Sequence, residues 1–320
     1  MRLINQSHEI ISEKDKLKLI ELCGRVCYKS ENKISDDSAS AFVSRIVRFG
    51  HWSVLEHASI AFEIDEETFL WIKKSMARVD LIDNYVNDDR YLILSNLDRF
   101  VVSGNFRAWK EYLTIPNVLM NDALRAIMFY LHHKWPEIFN PILASDYMKE
   151  ELKESDMSLN ERILHKKISV RFITNRGVTH ELVRHRDASF SQESTRYVNY
   201  KNSEIEFIKP VWMDNVYLGL YSPVFNAENQ EGIFIEQCLL SELAYNNLIS
   251  FNWRPEMARE VLPNALKTEI VMTASLREWY HIIKLRTSSK AHPQIRALIT
   301  GLRNDLINLD PDVFWGIDLM

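Results

Sequence analysis

The chain has 320 residues, of which 46% are hydrophobic and 11% aromatic, and this is enough to bury a large core in one elaborate domain or two smaller ones. Its formal net charge of -5 at pH 7 disfavours a nucleic-acid-coating role, because such proteins usually carry a basic excess that displaces counterions. The sequence has no apolar run long enough for a membrane span and no N-terminal stretch of the signal-peptide type, so we expect a cytoplasmic protein.

Cysteine and glycine usage limits the kinds of site that the chain can build. The three cysteines, Cys23, Cys27 and Cys238, include no C-x-x-C pair, which argues against a disulfide framework or a zinc knuckle. The eight glycines are too dispersed for a dinucleotide-binding or P-loop fingerprint. A phosphate-bearing ligand would therefore have to be held by side chains.

The N-terminal part is predicted to contain a short strand near residues 2–5, a helix over about 13–27 and a second helix over 36–49. Residues 51–57 (HWSVLEH) are predicted to form a loop before the alternating strand 59–64. A loop with two histidines, a serine and a glutamate ahead of a strand is a site candidate. The alternative is a structural loop, because histidines near helix ends commonly serve as caps.

A long stretch separates this loop from the middle of the chain. It covers residues 66–165, is predicted to be mainly helical with a hairpin-like interruption around 91–105, and shows no chemistry that its residue types identify. Residues 168–173 (ISVRFI) are apolar at alternate positions and predict a half-buried strand. After the breaker 175–177 (NRG), a short helix is predicted over 178–183.

Residues 184–197 (RHRDASFSQESTRY), directly after this helix, combine three arginines with a histidine and several hydroxyls. Arginine presents a planar fork of donors that matches phosphate and carboxylate oxygens, so the segment is predicted to hold a multiply charged anion. The alternative is a solvated charged loop. His180 and His185 invite a zinc site, but they are five residues apart, whereas zinc ligands on one helical face need a four-residue step. No metal site is predicted.

The last third contains a loop-rich passage over 201–230 and a helix over about 231–251. Residues 266–285 are predicted to form one helix from the spacing of their apolar residues. Four polar residues fall at four-residue steps on one face of it: Glu269, Thr273, Arg277 and His281. Both a water-facing and a ligand-facing role of this stripe stay open. The final helix is predicted to begin near Pro293, a favourable first-turn proline.

Four stretches of the chain resemble the flavin-dependent thymidylate synthase family, and they occur in that family's order. Residues 184–197 match its signature of Arg-His-Arg, seven intervening residues, Ser, and then Arg-Tyr after one more residue. Residues 51–57 resemble its His-x-Ser/Thr-x-x-Glu-His loop, residues 258–263 its Ala-Arg-x-x-Leu-Pro element, and residues 276–286 its C-terminal helix ending in arginine.

We expect one domain over residues 1–320, of the α/β class and α+β type. In it, helices surround a mixed central sheet. Residues 66–165 and 200–235 look like mostly helical insertions, which would make the chain a long member of the family.

The resemblance implies reductive methylation of dUMP to dTMP. 5,10-methylenetetrahydrofolate would give the one-carbon unit, and FAD, reduced by NADPH, would carry the hydride. The resemblance also implies a homotetramer with sites shared between subunits. The net charge and the lack of a long apolar run predict neither a nucleic acid nor a membrane as partner. Two alternatives stay open: a non-catalytic regulator that binds dUMP or another nucleotide without flavin, and a metal-dependent nucleotide hydrolase or transferase.

Matching positions imply two overlapping ligand sites. The dUMP site would use Glu181, Leu182, Val183, Arg184, Gln192, Glu193, Ser194, Thr195, Arg196, Arg259 and Arg286. The FAD site would use Ser53, Glu56, Arg184, His185, Arg186, Gln192, Ser275, Arg277 and His281. Arg286 is assigned the catalytic role of stabilising the anion that develops on the uracil ring. Ser194 is interpreted as a binding residue, because no histidine-carboxylate pair lies at an evident spacing to activate it as a nucleophile.

Three residues depart from the commonest form of the family pattern. Ser191 and Gln192 stand where Asn-Glu is frequent, so a neutral amide would replace a carboxylate contact to the substrate, or Glu193 would take over part of it. Ser275 stands where asparagine is frequent, which changes one hydrogen bond on the flavin side. None of the departures removes an arginine.

Overall fold

The computed structural model describes residues 1–77, 92–115, 117–139, 148–201, 204–221 and 227–315, in which three β-sheets are packed among helices. The strands are β1 (Arg2–Ile4), β2 (Ser7–Ile11), β3 (Ser59–Glu63), β4 (Ile93–Asn96), β5 (Phe100–Asn105), β6 (Lys167–Asn175), β7 (Ala188–Gln192), β8 (Glu206–Ile208), β9 (Gly219–Leu220) and β10 (Lys267–Ser275). The helices are α1 (Lys16–Tyr28), α2 (Ser38–Arg48), α3 (Glu66–Ala77), α4 (Phe106–Tyr112), α5 (Asp122–Lys134), α6 (Leu159–His165), α7 (Arg176–Leu182), α8 (Gln230–Ser250), α9 (Pro255–Ala258), α10 (Leu276–Arg286), α11 (Pro293–Leu309) and α12 (Pro311–Phe314). Every helix in these ranges is too short or too polar to cross a membrane.

The largest sheet has the order β2-β6-β10-β7 and is antiparallel throughout. Every residue of its inner strand β10 is buried. On one face of β10, Ile270, Met272 and Ala274 pack against apolar side chains of α7, α10 and α11. On the other face, Val271 joins the core that contains α1 and α2, because alternate residues of a strand point to opposite faces. The sheet is therefore covered on both sides.

The two smaller sheets have three strands each. In one of them β1 runs parallel to β8 and antiparallel to β9, so mixed pairing occurs here. In the other, β5 pairs antiparallel with both β3 and β4, and β4–β5 is the predicted hairpin-like interruption of residues 66–165. The α+β class is confirmed. Parts of the two presumptive insertions, 66–165 and 200–235, lie outside the described residues.

One prediction about local structure is wrong. Residues 266–285 do not form one helix, because β10 occupies the first half and α10 begins only at Leu276. The spacing of Ile270, Val271 and Ala274 fits a helical stripe, but it also fits a strand that is buried on both faces. Residues 184–197 contain strand β7, which excludes the alternative of a continuous solvated loop.

Helix α1 packs closely against α2 and against the 3-10 helix Trp52–His57, and Gly24 makes this approach possible. A Cβ atom on Gly24 would lie 2.7 Å from Cζ of Phe42 and 3.1 Å from Cγ1 of Val54. We therefore expect Gly24→Ala to lower the free energy of unfolding by about 1 to 3 kcal/mol through overpacking, although alanine favours helix more than glycine does. Denaturant-induced unfolding measures this, with exposed Ser44→Ala as the control. A Gly24→Ala protein as stable as the parent would contradict the close packing.

Candidate active site

The arginine-rich residues 184–197 are positioned by the central sheet. Strand β6 ends at Asn175, whose side chain accepts the Val178 N–H at 2.8 Å and caps α7. After α7 the chain turns through the Arg-His-Arg triplet and returns as β7, which pairs with β10 in the register Ser189↔Thr273. The triplet therefore lies in a short turn between two fixed elements, where ligand-binding residues commonly occur.

Arg286, at the end of α10, is held by residues from the other side of this turn. Its Nη1 donates to Oε2 of Glu181 at 2.6 Å, and its Nη2 donates to the Glu181 carbonyl at 2.9 Å. Its Nε donates to Nε2 of His185 at 3.1 Å. Because Nε2 of His185 accepts this bond, Nδ1 carries the ring proton and donates to Oε1 of Glu278 at 3.2 Å. The guanidinium is thus fixed before any ligand arrives.

These residues line a cleft of about 300 Å³, here called the His185 cleft. Its lining residues are Arg184, His185, Arg186, Asp187, Glu278, His281, Leu285 and Arg286. The rings of His185 and His281 are edge-to-face with centroids 5.9 Å apart. His185, Glu278 and His281 also bring possible metal ligands within 4.8 Å of one another. Both ring nitrogens of His185 are already hydrogen-bonded, so an ion would have to displace Arg286 or Glu278, and the assignment without a metal stays a prediction.

A second cleft of about 300 Å³, the Arg259 pocket, is lined by Arg176, His180, Thr195, Arg259, Glu260, Leu262, Pro263, Asn264 and Leu266. In it, Nη1 of Arg259 donates to Oγ1 of Thr195 at 3.1 Å. Nη1 of Arg176 is buried and has no hydrogen-bond partner among the described residues. Burial lowers the pKa of the Arg176 guanidinium, and the positive charge of Arg259 adds to that effect. Two neighbouring cations, one with an unused buried donor, fit an anionic ligand.

Arg176 is a candidate that the sequence analysis missed. It lies in the breaker 175–177, which was interpreted only as the end of a strand. The available signal was a cation at the first position of a helix that leads into the arginine triplet. Helix α7 turns His180 toward the Arg259 pocket and the adjacent Glu181 toward Arg286.

Glu193 lies in a buried charge network. Its carboxylate accepts the Tyr200 hydroxyl at 2.9 Å and is 3.4 Å from Nζ of Lys267. Lys267 and Arg171 both form ion pairs with Glu269. Burial alone would raise the pKa of Glu269, but these two cations outweigh it and hold the pKa at about 2. Glu193 also lines a cavity of about 570 Å³, so one side of this network is open to solvent.

His57 ties the 3-10 helix Trp52–His57 to the central sheet. Its Nδ1 is 2.7 Å from Oγ1 of Thr273, and its Nε2 is 2.9 Å from Oγ of Ser191. The Ser169 hydroxyl is 2.6 Å from the same Thr273 oxygen. Burial lowers the pKa of His57 to about 3, so the ring is neutral. Ser191, where asparagine is frequent in the family, therefore serves here as a partner of His57.

The remaining predicted site residues differ in whether their side chains are exposed or already hydrogen-bonded within the protein. The Gln192 amide donates to hydroxyls of Thr179 and Thr268 and so links β7 to its neighbours. Ser275 caps α10 by accepting the Glu278 N–H at 3.2 Å, which explains the serine at this position. Leu182 is buried and Ser194 is partly buried. The exposed residues of the set are Ser53, Val183, Arg184, Arg186, Arg196, Arg277 and His281.

One chain does not bring all predicted residues into one pocket. Arg286 lies in the His185 cleft, whereas Thr195 and Arg259 lie in the Arg259 pocket, and within the described part of the chain the two clefts share no lining residue. Glu56 lies elsewhere, paired with Arg107 of α4. The predicted ligand residues therefore form separate groups on the surface of a single chain.

Comparison with known proteins identifies relatives over much of the chain. A family model described as thymidylate synthase complementing protein matches residues 9–79 and 146–312. A flavin-dependent thymidylate synthase of Mycobacteroides abscessus is 34% identical over 147 residues, which are 45% of this chain and 59% of the relative. The flavin-dependent thymidylate synthase of Geobacter sulfurreducens is 31% identical over 180 residues, 53% of this chain and 73% of the relative. The chain thus matches little more than half the length of the first relative.

Two solved structures are weakly similar. Thymidylate Synthase X from Helicobacter pylori, with FAD and dUMP, has a TM-score of 0.37 and 21% identity, covering 47% of this chain and 72% of its own. The UMP/dUMP methylase PolB from Streptomyces cacaoi, bound with 5-Br dUMP, has a TM-score of 0.43 and 14% identity, covering 100% of this chain and 98% of its own. Both TM-scores are too low to carry a conclusion.

Proposed function

Because the chain belongs to the flavin-dependent thymidylate synthase family, we propose that it converts dUMP to dTMP. In this proposal 5,10-methylenetetrahydrofolate supplies the one-carbon unit, and FAD, reduced by NADPH, serves as the hydride carrier. The activity is assigned to a single domain over residues 1–320. Stretches 66–165 and 200–235 are proposed to be insertions, and the family model leaves 80–145 between its two matched stretches.

The observation that carries the proposal is the Arg259 pocket. A nucleoside monophosphate presents a compact anion, and Arg176 and Arg259 present two guanidinium groups to one small cleft. The buried Nη1 of Arg176 lacks a partner among the described residues, so a phosphate oxygen there would satisfy it. The Thr195 hydroxyl orients Arg259. We assign the dUMP phosphate to this pocket. Ser194, Thr195 and Arg196, which follow β7 in the same chain, are proposed to contribute to its binding.

We propose that the His185 cleft holds part of the flavin nucleotide. Arg184 and Arg186 are exposed at its edge and can pair with the diphosphate, which needs fixed cations if it is to lie near a second phosphate. His281 offers an exposed ring, whose centroid is 5.9 Å from that of the His185 ring. When bound, the flavin supplies the hydride transfer. Ser53, Glu56, Gln192, Ser275 and Arg277 complete the proposed flavin residues.

Arg286 is the proposed catalytic residue. Its guanidinium is oriented by Glu181 and His185, so a uracil carbonyl placed against it would meet a donor that needs little rearrangement. That donor stabilises negative charge as it develops on the ring. Glu181, Leu182, Val183 and Arg184 form the adjoining wall for the base, and Glu193 supports the end of β7 through Lys267.

We propose that complete sites form between subunits of a homotetramer. The supporting observation is that one chain presents the Arg259 pocket and the His185 cleft as separate clefts. A single bound dUMP would need its phosphate in the first and its base against Arg286 in the second. A composite site made by two copies of the chain removes this difficulty.

The proposed function is tested by visible absorption spectroscopy of the purified protein with FAD, and then with NADPH and dUMP under anaerobic conditions. We expect flavin bands that co-purify or titrate with the protein and that bleach on addition of NADPH. The methyl transfer is then followed as dTMP formation after addition of 5,10-methylenetetrahydrofolate. A protein that binds dUMP but no flavin would overturn the proposal in favour of a nucleotide-binding regulator.

A further inference from the structure

We infer that Arg107 of α4 is a positioning residue that holds the Glu56 carboxylate in place for the flavin site. Arg107 belongs to residues 80–145, the stretch that lies between the two parts of the chain matched by the family model. This inference rests on the proposed function, because it gives Glu56 its role toward FAD. It assigns a role in ligand binding to a stretch that otherwise looks like an addition to the fold.

Part of the stretch 80–145 pairs with the strand that follows the family's His-x-Ser-x-x-Glu-His element, residues 51–57. Strand β5 pairs with β3 from Ser59↔Asn105 onward, and the Phe106 N–H donates to the Ala58 carbonyl at 2.9 Å. The Trp109 indole donates to the Ile60 carbonyl at 3.3 Å. Helix α4 therefore starts directly beside the 3-10 helix Trp52–His57 and has a fixed orientation toward it.

Arg107 lies on the side of α4 that faces this 3-10 helix. Its Nη1 donates to Oε1 of Glu56 at 2.8 Å, and its Nε donates to Oε1 of Glu111 at 2.7 Å. The Glu56 side chain is only 14% exposed, whereas that of Arg107 is 38% exposed. A half-buried carboxylate held from one side by a guanidinium keeps a fixed direction.

A second contact joins the same helix to the same element. The ammonium of Lys110 lies 5.3 Å from the ring centre of Trp52, and its Nζ donates to the Ile138 carbonyl at 2.6 Å. Arg107 and Lys110 are one helical turn apart, so α4 holds the element at Trp52 and at Glu56. Two cations from the stretch 80–145 thus contact the residues that flank Ser53.

The charges around Glu56 predict the direction in which the pH dependence of FAD binding should shift when each charge is removed. The groups that face Glu56 are the Arg107 guanidinium and the Glu111 carboxylate of α4, together with the Ser189 hydroxyl of β7. His57 lies on the same 3-10 helix as Glu56, but its ring points to Thr273 and Ser191. Burial raises the pKa of Glu56, Arg107 counteracts this, and Glu111 adds to the increase. An ionised carboxylate only accepts hydrogen bonds, which suits the hydroxyl and N–H donors of FAD. FAD affinity should therefore fall as the pH drops and Glu56 is protonated.

The test is a set of FAD titrations, followed by flavin fluorescence, over about pH 5 to pH 8. Arg107→Gln is expected to weaken FAD binding at least about tenfold at pH 7 and to move the acidic loss of affinity to higher pH, because the charge that keeps Glu56 ionised is gone. Glu111→Gln should move that loss in the opposite direction. Arg107→Lys keeps the positive charge and should leave the pH profile close to that of the parent. Arg125→Gln removes a solvent-exposed arginine of α5 in the same stretch and serves as the matched control.

The outcomes separate this inference from the proposed function. Equal FAD affinity and an equal pH profile for the parent and Arg107→Gln would overturn only the role of Arg107. A loss that is uniform in pH and is not rescued by Arg107→Lys would do the same, because it would indicate damage to α4. Arg107→Gln is set aside if near-ultraviolet circular dichroism shows that it does not fold. In that case the inference still requires that Glu111→Gln move the acidic loss of FAD affinity to lower pH than in the parent. A parent protein that binds no FAD would overturn the proposed function and this inference with it.

Discussion

Arg259→Ala is expected to weaken dUMP binding by about 2 to 4 kcal/mol, a loss of roughly 30- to 1,000-fold in affinity. Arg259 is held at 3.1 Å by Thr195 and shares its pocket with Arg176. A phosphate group in this pocket would make charge-assisted hydrogen bonds to both guanidinium groups, and removal of one leaves the charge of the anion undercompensated. Isothermal titration calorimetry with dUMP measures the loss.

Two further variants sharpen this result. Arg254→Ala is the matched control, because Arg254 precedes the neighbouring helix α9, is 75% exposed at its side chain and pairs only with Glu256 among the described residues. Arg176→Gln should weaken dUMP binding as Arg259→Ala does, yet raise the melting temperature of the ligand-free protein, because it removes a half-buried cation that lies beside Arg259 and whose buried Nη1 has no hydrogen-bond partner among the described residues. Unchanged dUMP affinity in both pocket variants would show that the phosphate binds elsewhere.

Acidification is expected to destabilise the protein through two buried histidines. His57 contacts hydroxyls of Thr273 and Ser191, and burial lowers its pKa from 6.5 to about 3. His165 contacts hydroxyls of Ser95 and Ser103 at 2.8 and 2.7 Å, and burial lowers its pKa from 6.5 to about 4. The folded state binds these protons less readily than the unfolded state does. Stability is therefore fully present above pH 6.5 and falls below it, with a slope that approaches about 1.4 kcal/mol per pH unit for each histidine.

The contribution of one histidine can be isolated with His165→Gln. Glutamine can still bond both serines but does not titrate, so the variant should lose about 1 kcal/mol at pH 7.5 and show a shallower fall in stability toward pH 4.5. Urea unfolding at several pH values gives both quantities. Exposed His133→Gln is the control and should reproduce the pH dependence of the parent. An unchanged slope in His165→Gln would contradict the role of His165 in acid unfolding.

Much of the fold follows from local sequence signals, and the exceptions have identifiable causes. The alternating strand at 168–173 and the hairpin interruption near 91–105 are found where periodicity and breakers predict them. Strand β10 was mistaken for part of a helix because both of its faces are buried, which removes the alternation of polar and apolar residues. Ser275 followed by Glu278 was an available sign of the true helix start, since the Ser275 hydroxyl accepts the Glu278 N–H.

For the candidate site, linear sequence predicts which residues could bind a ligand but not which of them lie together. The arginine triplet and Arg286 lie around one cleft, as their shared assignment to ligand binding suggested. Ser191 and Glu193 could not be interpreted correctly from the sequence, because their partners His57 and Lys267 come from distant elements. Arg176 was missed because its significance depends on burial and on the nearness of Arg259, and neither is visible in linear sequence.

Because β10 lies between β6 and β7, the largest sheet cannot be completed until β10 has been synthesised. Strands β6 and β7 are translated well before β10, and neither has its inner neighbour until residues 267–275 have left the ribosome. The edges that β10 will cover are unpaired during that interval, and unpaired strand edges favour wrong pairing. The arginine triplet joins β6–α7 to β7, so it reaches its final position only when β10 inserts. The turn that contains the arginine triplet therefore waits for β10 before it can take up its final position.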